Sequence, residues 1–239
     1  VHLAAQAGVG FSVLDPMRSH RVNVVGTLNV LEAAREAGVK RMVNSSSSSV
    51  YGNPLRMPTD EGTPADPISP YGASKLSAEA YCRLYHHLYG METISLRYFT
   101  VYGPHQRPDM AIRLFADRIA GGERPQVFGD GEQTRDFTFI DDVTRAIILA
   151  MDCPHPSAQA INICCGRGIS VNRLVRMMLE KMGREDLEPE YLPPKPGDVQ
   201  HTLGDNSLAR RLLGWAPRFD IEEGLDRFLA WFEGMNRWR

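Results

Sequence analysis

Apolar positions along this chain follow two alternating rhythms, a helical one and short β-branched runs. Val25, Leu28, Leu31 and Ala34 share one face of a helix predicted over 23–38, and Gly38 stops it. Lys40 to Asn44 then reads as a short buried strand, so helix, glycine, basic pair and strand make the second half of a β-α-β unit. Upstream, Val1-His2-Leu3-Ala4-Ala5 reads as the end of a buried strand entering a small-residue turn, and 12–21 as a polar stretch broken by Pro16. A domain rarely opens on a core strand, so the chain is expected to be part of a longer protein. Downstream, a proline-rich loop over 53–70 leads into a helix from Tyr71 to Gly90, with Leu76, Ala80, Leu84 and Leu88 along one side. Strands follow at 92–98, 126–129, 135–140 and 161–163, and helices at 112–120, 141–151 (capped by Asp141), 171–182 (capped by Ser170), 207–213 and 221–231. The fold class is therefore α/β, with a parallel sheet flanked by helices and a second, smaller α/β lobe.

Composition narrows the function classes. With 239 residues, 27 basic against 29 acidic side chains and 43% hydrophobic residues, the chain is an ordinary globular sequence. Its charge balance gives no footprint for nucleic acid. Cys82, Cys153, Cys164 and Cys165 are too irregularly spaced for a disulfide framework or zinc site, and no metal site is expected. No apolar run approaches the ~20 residues of a membrane span. Free thiols and a cytoplasmic location are expected.

Two stretches carry candidate chemistry. The strand over 40–44 ends in five serines, Ser45 to Ser49, closed by Val50-Tyr51-Gly52. The carboxyl end of a parallel strand is where open α/β sheets place ligands. The second stretch is Tyr71-Gly72-Ala73-Ser74-Lys75. Residues four apart share a helix face, and a nearby ammonium favours the phenolate, which makes a tyrosine a usable base.

Further matching stretches run in one order over nearly the whole chain. They are His2-Leu3-Ala4-Ala5, Asn23-x-x-Gly26-Thr27-x-Asn29, Ser45-Ser46-Ser47…Val50-Tyr51-Gly52, Tyr71-x-x-x-Lys75 and Leu96-Arg97-Tyr98-Phe99-Thr100-Val101-Tyr102-Gly103-Pro104. Beyond them lie Val127-Phe128-Gly129-Asp130-Gly131…Arg135-Asp136-Phe137, Asp141-Asp142-Val143 and Pro196-Gly197-Asp198-Val199. Together they resemble the extended short-chain dehydrogenase/reductase family, in its NAD-dependent nucleotide-sugar epimerase/dehydratase branch. The resemblance implies an incomplete Rossmann-type sheet, because no Gly-x-x-Gly-x-x-Gly pattern lies between a strand and a helix. It implies that 1–100, with 136–152 returning to it, forms the NAD-binding part, and that 101–239 is mainly the nucleotide-sugar lobe.

The resemblance also implies roles. Tyr71 would take the proton from the sugar C4 hydroxyl while hydride passes to NAD, Lys75 would lower the phenol's pKa and bond the nicotinamide ribose, and Ser47 would bond the same sugar hydroxyl. Ala4, Ala5, Asn23, Ser45, Ser46 and Tyr98 would line the cofactor. Phe128 would face the uracil, Arg135 and Arg107 the pyrophosphate, and Asp198 the ribose, with Lys195 where the family commonly has Arg. The dehydratases carry Asp-Glu where this chain has Ser48-Ser49, which argues against water elimination. The run from Phe99 to Ala111 is most similar to UDP-glucuronate 4-epimerases, and hydroxyls on Ser48, Ser49 and Thr100 could donate to a C6 carboxylate. UDP-glucose epimerisation and UDP-glucuronate decarboxylation remain alternatives, and so does a nucleotide-sugar-binding protein without turnover. A homodimer through the helices at 23–38 and 71–90 is also implied.

Overall fold

The computed structural model describes residues 1–154, 158–194 and 199–236. Strand β1 (Arg41–Ser47) pairs in parallel with β2 (Glu92–Tyr98), and β2 pairs in parallel with β6 (Ala160–Ile163). His2 adds a single parallel bridge at Asn44 on the other side of β1, donating its N–H to the Val43 carbonyl at 2.8 Å. The first residues therefore touch the sheet at one point only, and Leu3 is exposed rather than buried in a strand.

Alternation of side chains through β1 builds a core on each face. Met42 packs with Leu31, Cys82, Tyr85 and Met91, under helices α3 (Gly26–Glu36) and α4 (Pro70–Tyr89). Val43 packs with Ile94, Leu96, Val143 and Trp215, under α6 (Ile140–Met151) and the loop after α8 (Ser207–Leu213). Trp215 is fully buried and its indole N–H donates to the Asp142 carbonyl at 2.8 Å. The result is a three-layer sandwich, as the alternating pattern predicts.

The remainder forms a second core. β3 (Thr100–Tyr102) pairs in parallel with β5 (Thr134–Phe139), which pairs antiparallel with β7 (Gly168–Ser170). β4 (Gln126–Phe128) pairs in parallel with β8 (Glu190–Leu192). Helices α5 (Ala111–Ala120), α7 (Val171–Lys181) and α9 (Ile221–Asn236) cover these strands with Phe115, Leu174, Met178, Phe228 and Phe232.

Several boundaries differ from the sequence reading. β1 does not stop at Asn44 but runs through Ser47, because β2 supplies backbone partners from Ser45↔Leu96 to Ser47↔Tyr98. The stretch 12–21 is mostly helical, in α1 (Val9–Leu14) and α2 (Pro16–His20). Pro16 starts α2 rather than breaking it, since a first-turn residue needs no N–H partner and Asp15 accepts from the Arg18 N–H. One turn of π-helix, Arg21–Val25, then precedes α3. Asp141 does not cap α6: Phe139 holds that position and Asp141 and Asp142 lie in the first turn, where carboxylates meet the helix dipole. Asp142 is turned inward and accepts the N–H groups of Arg218 and Phe219. Ser170 does cap α7, and Ser69 caps α4, contributions of about 1 kcal/mol each.

Candidate active site

The site lies where β1 and β2 end, under the first turns of α4. Ser69 accepts from the Gly72 N–H, Pro70 occupies the first turn, and Gly90 in the left-handed region closes α4. Gly72 lets the helix approach β1: a side-chain carbon there would stand 2.4 Å from the Ser49 carbonyl oxygen and 2.9 Å from Pro67 Cβ. A second serine steadies the approach, since the Tyr71 N–H donates to Ser12 Oγ at 3.0 Å.

This packing brings Ser47, Tyr71 and Lys75 together. The Ser47 hydroxyl hydrogen-bonds the Tyr71 phenol, and Ser47 Oγ also accepts from the Ser49 N–H at 3.2 Å. Lys75 Nζ donates to the Ser45 carbonyl at 2.7 Å and stands 5.8 Å from the centre of the Tyr71 ring. Burial pushes the Lys75 amine down to about 8, so it remains an ammonium at neutral pH. The phenol does not behave as expected from the Tyr-x-x-x-Lys pair. Burial raises the Tyr71 pKa above its ordinary value, against the opposing pull of the Ser47 hydrogen bond and the Arg107 charge. Lys75 spends its nearest hydrogen bond on a backbone carbonyl, so the low-dielectric surroundings win.

The expected cofactor residues divide in two. Ser45 Oγ and the Tyr98 hydroxyl are 3.2 Å apart beside Lys75. Ala4 is exposed and Ala5 half-buried in the turn after the His2 bridge. Asn23 steadies that turn: Oδ1 accepts from the Gln6 N–H at 2.7 Å, and Nδ2 donates to the Gln6 carbonyl and to Ser74 Oγ. Its amide positions the backbone next to Ala5. Ser46 departs from the expectation. As a strand residue between Ser45 and Ser47 it points to the opposite face, is buried, and gives its hydroxyl to Glu79. The hydroxyls of Tyr71, Ser45 and Tyr98, with the Lys75 ammonium, form a donor set suited to a ribose diol and a carboxamide, so the residues present fit the nicotinamide end of NAD.

Of the expected sugar contacts, Ser48 and Ser49 open the turn after β1, and Thr100 opens β3 just past the end of β2. Ser47 and Tyr98 are paired across β1 and β2, so Ser49 and Thr100 each stand two residues beyond a paired position at neighbouring strand ends. Arg107 pairs with Asp109 at 2.9 Å, and its charge still reaches Tyr71. Phe128 lines a cavity of about 520 Å³ with Gln133, Leu192, Pro194 and Gln200. Arg135 Nη1 donates to the Thr134 and Gln200 carbonyls, the latter at 3.2 Å, which ties it to the segment bounding that cavity. Lys195 and Asp198 lie outside the described residues.

Two supporting groups were not singled out from the sequence. Glu79 and Arg97 form a buried bidentate ion pair directly behind the site. Asp136 accepts the N–H groups of Cys165, Gly166 and Gly204, holding the turn after β6 against the segment that borders the cavity. Burial raises the Asp136 carboxyl to about 6, with the three N–H bonds acting against it. A signal for the first pair existed: Glu79 is a charge four residues from Lys75 on a helix side otherwise buried, and Arg97 a charge inside an apolar strand.

The arrangement is that of a nucleotide-sugar enzyme of the short-chain dehydrogenase type. Residues 1–228 match the family model described as GDP-mannose 4,6 dehydratase, and the chain belongs to this family of NAD-dependent epimerases and dehydratases. It is 42% identical over 233 residues to a UDP-glucuronate 4-epimerase of Thermodesulfobacterium geofontis, covering 97% of this chain and 71% of that one. Its fold is similar to the UDP-glucose 4-epimerase of Thermotoga maritima solved with UDP-glucose, with TM-score 0.95 and 40% identity, covering 98% of this chain and 77% of that one. It is also similar to the Bacillus cereus UDP-glucuronic acid 4-epimerase in complex with UDP-glucuronic acid and NAD, with TM-score 0.93 and 34% identity, covering 98% and 75%.

Proposed function

We propose that this chain interconverts UDP-glucuronate and UDP-galacturonate at C4. At the coarser level it is an NAD-dependent UDP-sugar 4-epimerase, the activity named for its relatives. The observation that supports the acidic-sugar reading is the set of small hydroxyl residues at adjoining strand ends: Ser48 and Ser49 follow β1 and Thr100 follows β2, just beyond the paired Ser47 and Tyr98. Hydroxyl donors match a C6 carboxylate without the bulk of an amide. The Arg107 charge acting on the same site favours an anionic sugar as well. The 40% identity to a UDP-glucose 4-epimerase supports the neutral sugar as a second reading.

NAD, when bound, supplies a hydride acceptor beside the sugar C4. Tyr71 accepts the C4 hydroxyl proton as that carbon is oxidised, and Ser47 holds the same hydroxyl by hydrogen bond. Lys75, fixed by the Ser45 carbonyl, places a positive charge one helical turn away, which stabilises the phenolate form in which Tyr71 accepts that proton. After the 4-keto sugar turns over, its other face would take the hydride back at C4 while the Tyr71 phenol gives its proton to the C4 oxygen. Phe128 and Arg135 hold the nucleotide at the cavity, and no carboxylate follows Ser47 to drive dehydration.

The division into a cofactor part, 1–100 with 136–152, and a nucleotide-sugar part belongs to the same proposal. β6 joins the cofactor side in it, since it pairs with β2. So does a homodimer through α3 and α4, whose outer sides leave Val30, Leu84 and Leu88 exposed at 39%, 48% and 67%. Sedimentation should give twice the chain mass, and Leu88→Glu should shift it to the monomer; a monomeric parent removes the dimer reading.

Replacing Tyr71 by Phe should lower turnover by about 10²–10⁴-fold with UDP-sugar affinity within a few fold. A variant that turns over normally assigns the proton to another group. Thr100→Asn should reduce kcat/KM for UDP-glucuronate more than for UDP-glucose, and equal losses on both substrates would contradict the carboxylate contact.

A further inference from the structure

Behind the catalytic residues lies a buried polar cluster that the reaction itself does not use. Glu79 and Arg97 are 1% and 6% exposed. Arg97 Nε donates to Glu79 Oε1 at 2.9 Å and Nη2 to Oε2 at 2.7 Å, the two-pronged geometry in which a guanidinium fork matches a carboxylate. Arg97 Nη1 also donates to the Tyr51 hydroxyl at 2.8 Å, which donates to Asn162 Oδ1 at 2.7 Å. The Ser46 hydroxyl donates to Glu79 Oε1.

Three members of this cluster, Glu79, Ser46 and Arg97, sit next to a site residue in sequence or on its helix. Glu79 is one turn beyond Lys75 on α4. Ser46 lies between Ser45, whose carbonyl holds Lys75 Nζ, and Ser47, whose hydroxyl meets Tyr71. Arg97 precedes Tyr98, whose hydroxyl meets Ser45 Oγ. The three elements that must converge for the Tyr71–Lys75–Ser47 geometry are α4, β1 and β2, and the cluster ties all three together one helical turn beyond Lys75. A buried pair is costly in desolvation and a weak source of net stability, so its use is to be sought in what it positions.

We infer that Glu79 and Arg97 are positioning residues that hold α4 against the ends of β1 and β2, and so keep Lys75 on the Ser45 carbonyl and Tyr71 on Ser47. The pair is buried, and its hydrogen bonds run to Ser46 and Tyr51 and between its own two members. Lys75 reports the fit. Burial against β1 depresses its amine to about 8, so release of α4 lets water in and moves the titration up toward its ordinary value. Tyr71 and Glu79 flank Lys75 on its own helix, Ser45 and Ser46 face it from β1, and the Tyr98 hydroxyl comes from β2. His2, whose own pKa Lys75 helps to lower, comes from the first segment.

The test removes the pair without changing net charge. Glu79→Leu/Arg97→Met takes out one anion and one cation together, so the field at Lys75 is little altered and a change in its titration reports movement. Ser46→Ala cuts only the link from Glu79 to β1 and guards against the double variant failing to fold. The chain has four lysines, Lys40, Lys75, Lys181 and Lys195, so the side-chain carbon resonances of a lysine-labelled sample can be assigned with Lys75→Met and followed against pH. Folding is checked by circular dichroism. The expected result is a folded variant whose Lys75 titration rises by about one unit or more, with a smaller rise in the same direction for Ser46→Ala. Folded variants with Lys75 still titrating near the parent value overturn the inference, because a purely structural pair would lower the melting temperature and leave the amine in place. In the NAD-loaded protein, kcat should fall by about ten-fold or more with KM within two- to three-fold. That kinetic arm rests on the epimerase reading, whereas the titration does not, so failure of one is distinguishable from failure of the other.

Discussion

Helix α4 can deliver its tyrosine and lysine only by lying almost on the backbone of β1. Gly72 makes that contact possible, since any side chain there would collide with the Ser49 carbonyl. Everything else in the first half serves the same approach. Ser69 and Pro70 start the helix at the right residue, Ser12 holds the Tyr71 N–H, and Cys82 and Tyr85 pack the far end onto Met42 and Leu31. The Glu79–Arg97 pair lies on the same buried side of α4, one turn beyond Lys75, and ties the helix to β2.

The same close packing sets the electrostatics. Taking a phenol and an amine out of water disfavours the charged form of each, and both shifts run that way here: Tyr71 up, Lys75 down to about 8. The lysine keeps its charge at neutral pH because its unperturbed value is so high. For the tyrosine, the Ser47 hydrogen bond and the Arg107 charge oppose the effect of burial without overcoming it. Burial disfavours the phenolate but makes it, once formed, a stronger acceptor for a hydroxyl proton.

Local signals in the chain specify local structure. α4, α7 and α8 carry their own start and stop residues, and the structure places those helices within a residue of the expected ends. Tyr71, Lys75 and Ser47, assigned to one site from the family pattern, do converge. What escaped the sequence depends on partners far along the chain. Serines have little preference for strands, so Ser45 to Ser47 read as the end of β1 until β2 supplies their hydrogen bonds. The inward turn of Ser46 follows only once that register is known. Pro16 could break a helix or begin one, and the side chain of Asp15 decides it. Glu79 and Arg97 are eighteen residues apart and pair only through the tertiary fold. The proposed preference for an acidic sugar rests on Ser48, Ser49 and Thr100, whose places at adjoining strand ends follow from the register of β1 on β2.

The most direct measurement compares kcat/KM of the NAD-loaded protein for UDP-glucuronate and UDP-glucose under one set of conditions, with the C4 epimers identified as products. The account predicts epimerisation of both at most, with UDP-glucuronate clearly preferred and UDP-galacturonate formed. A preference for UDP-glucose, or release of carbon dioxide from UDP-glucuronate, would contradict it.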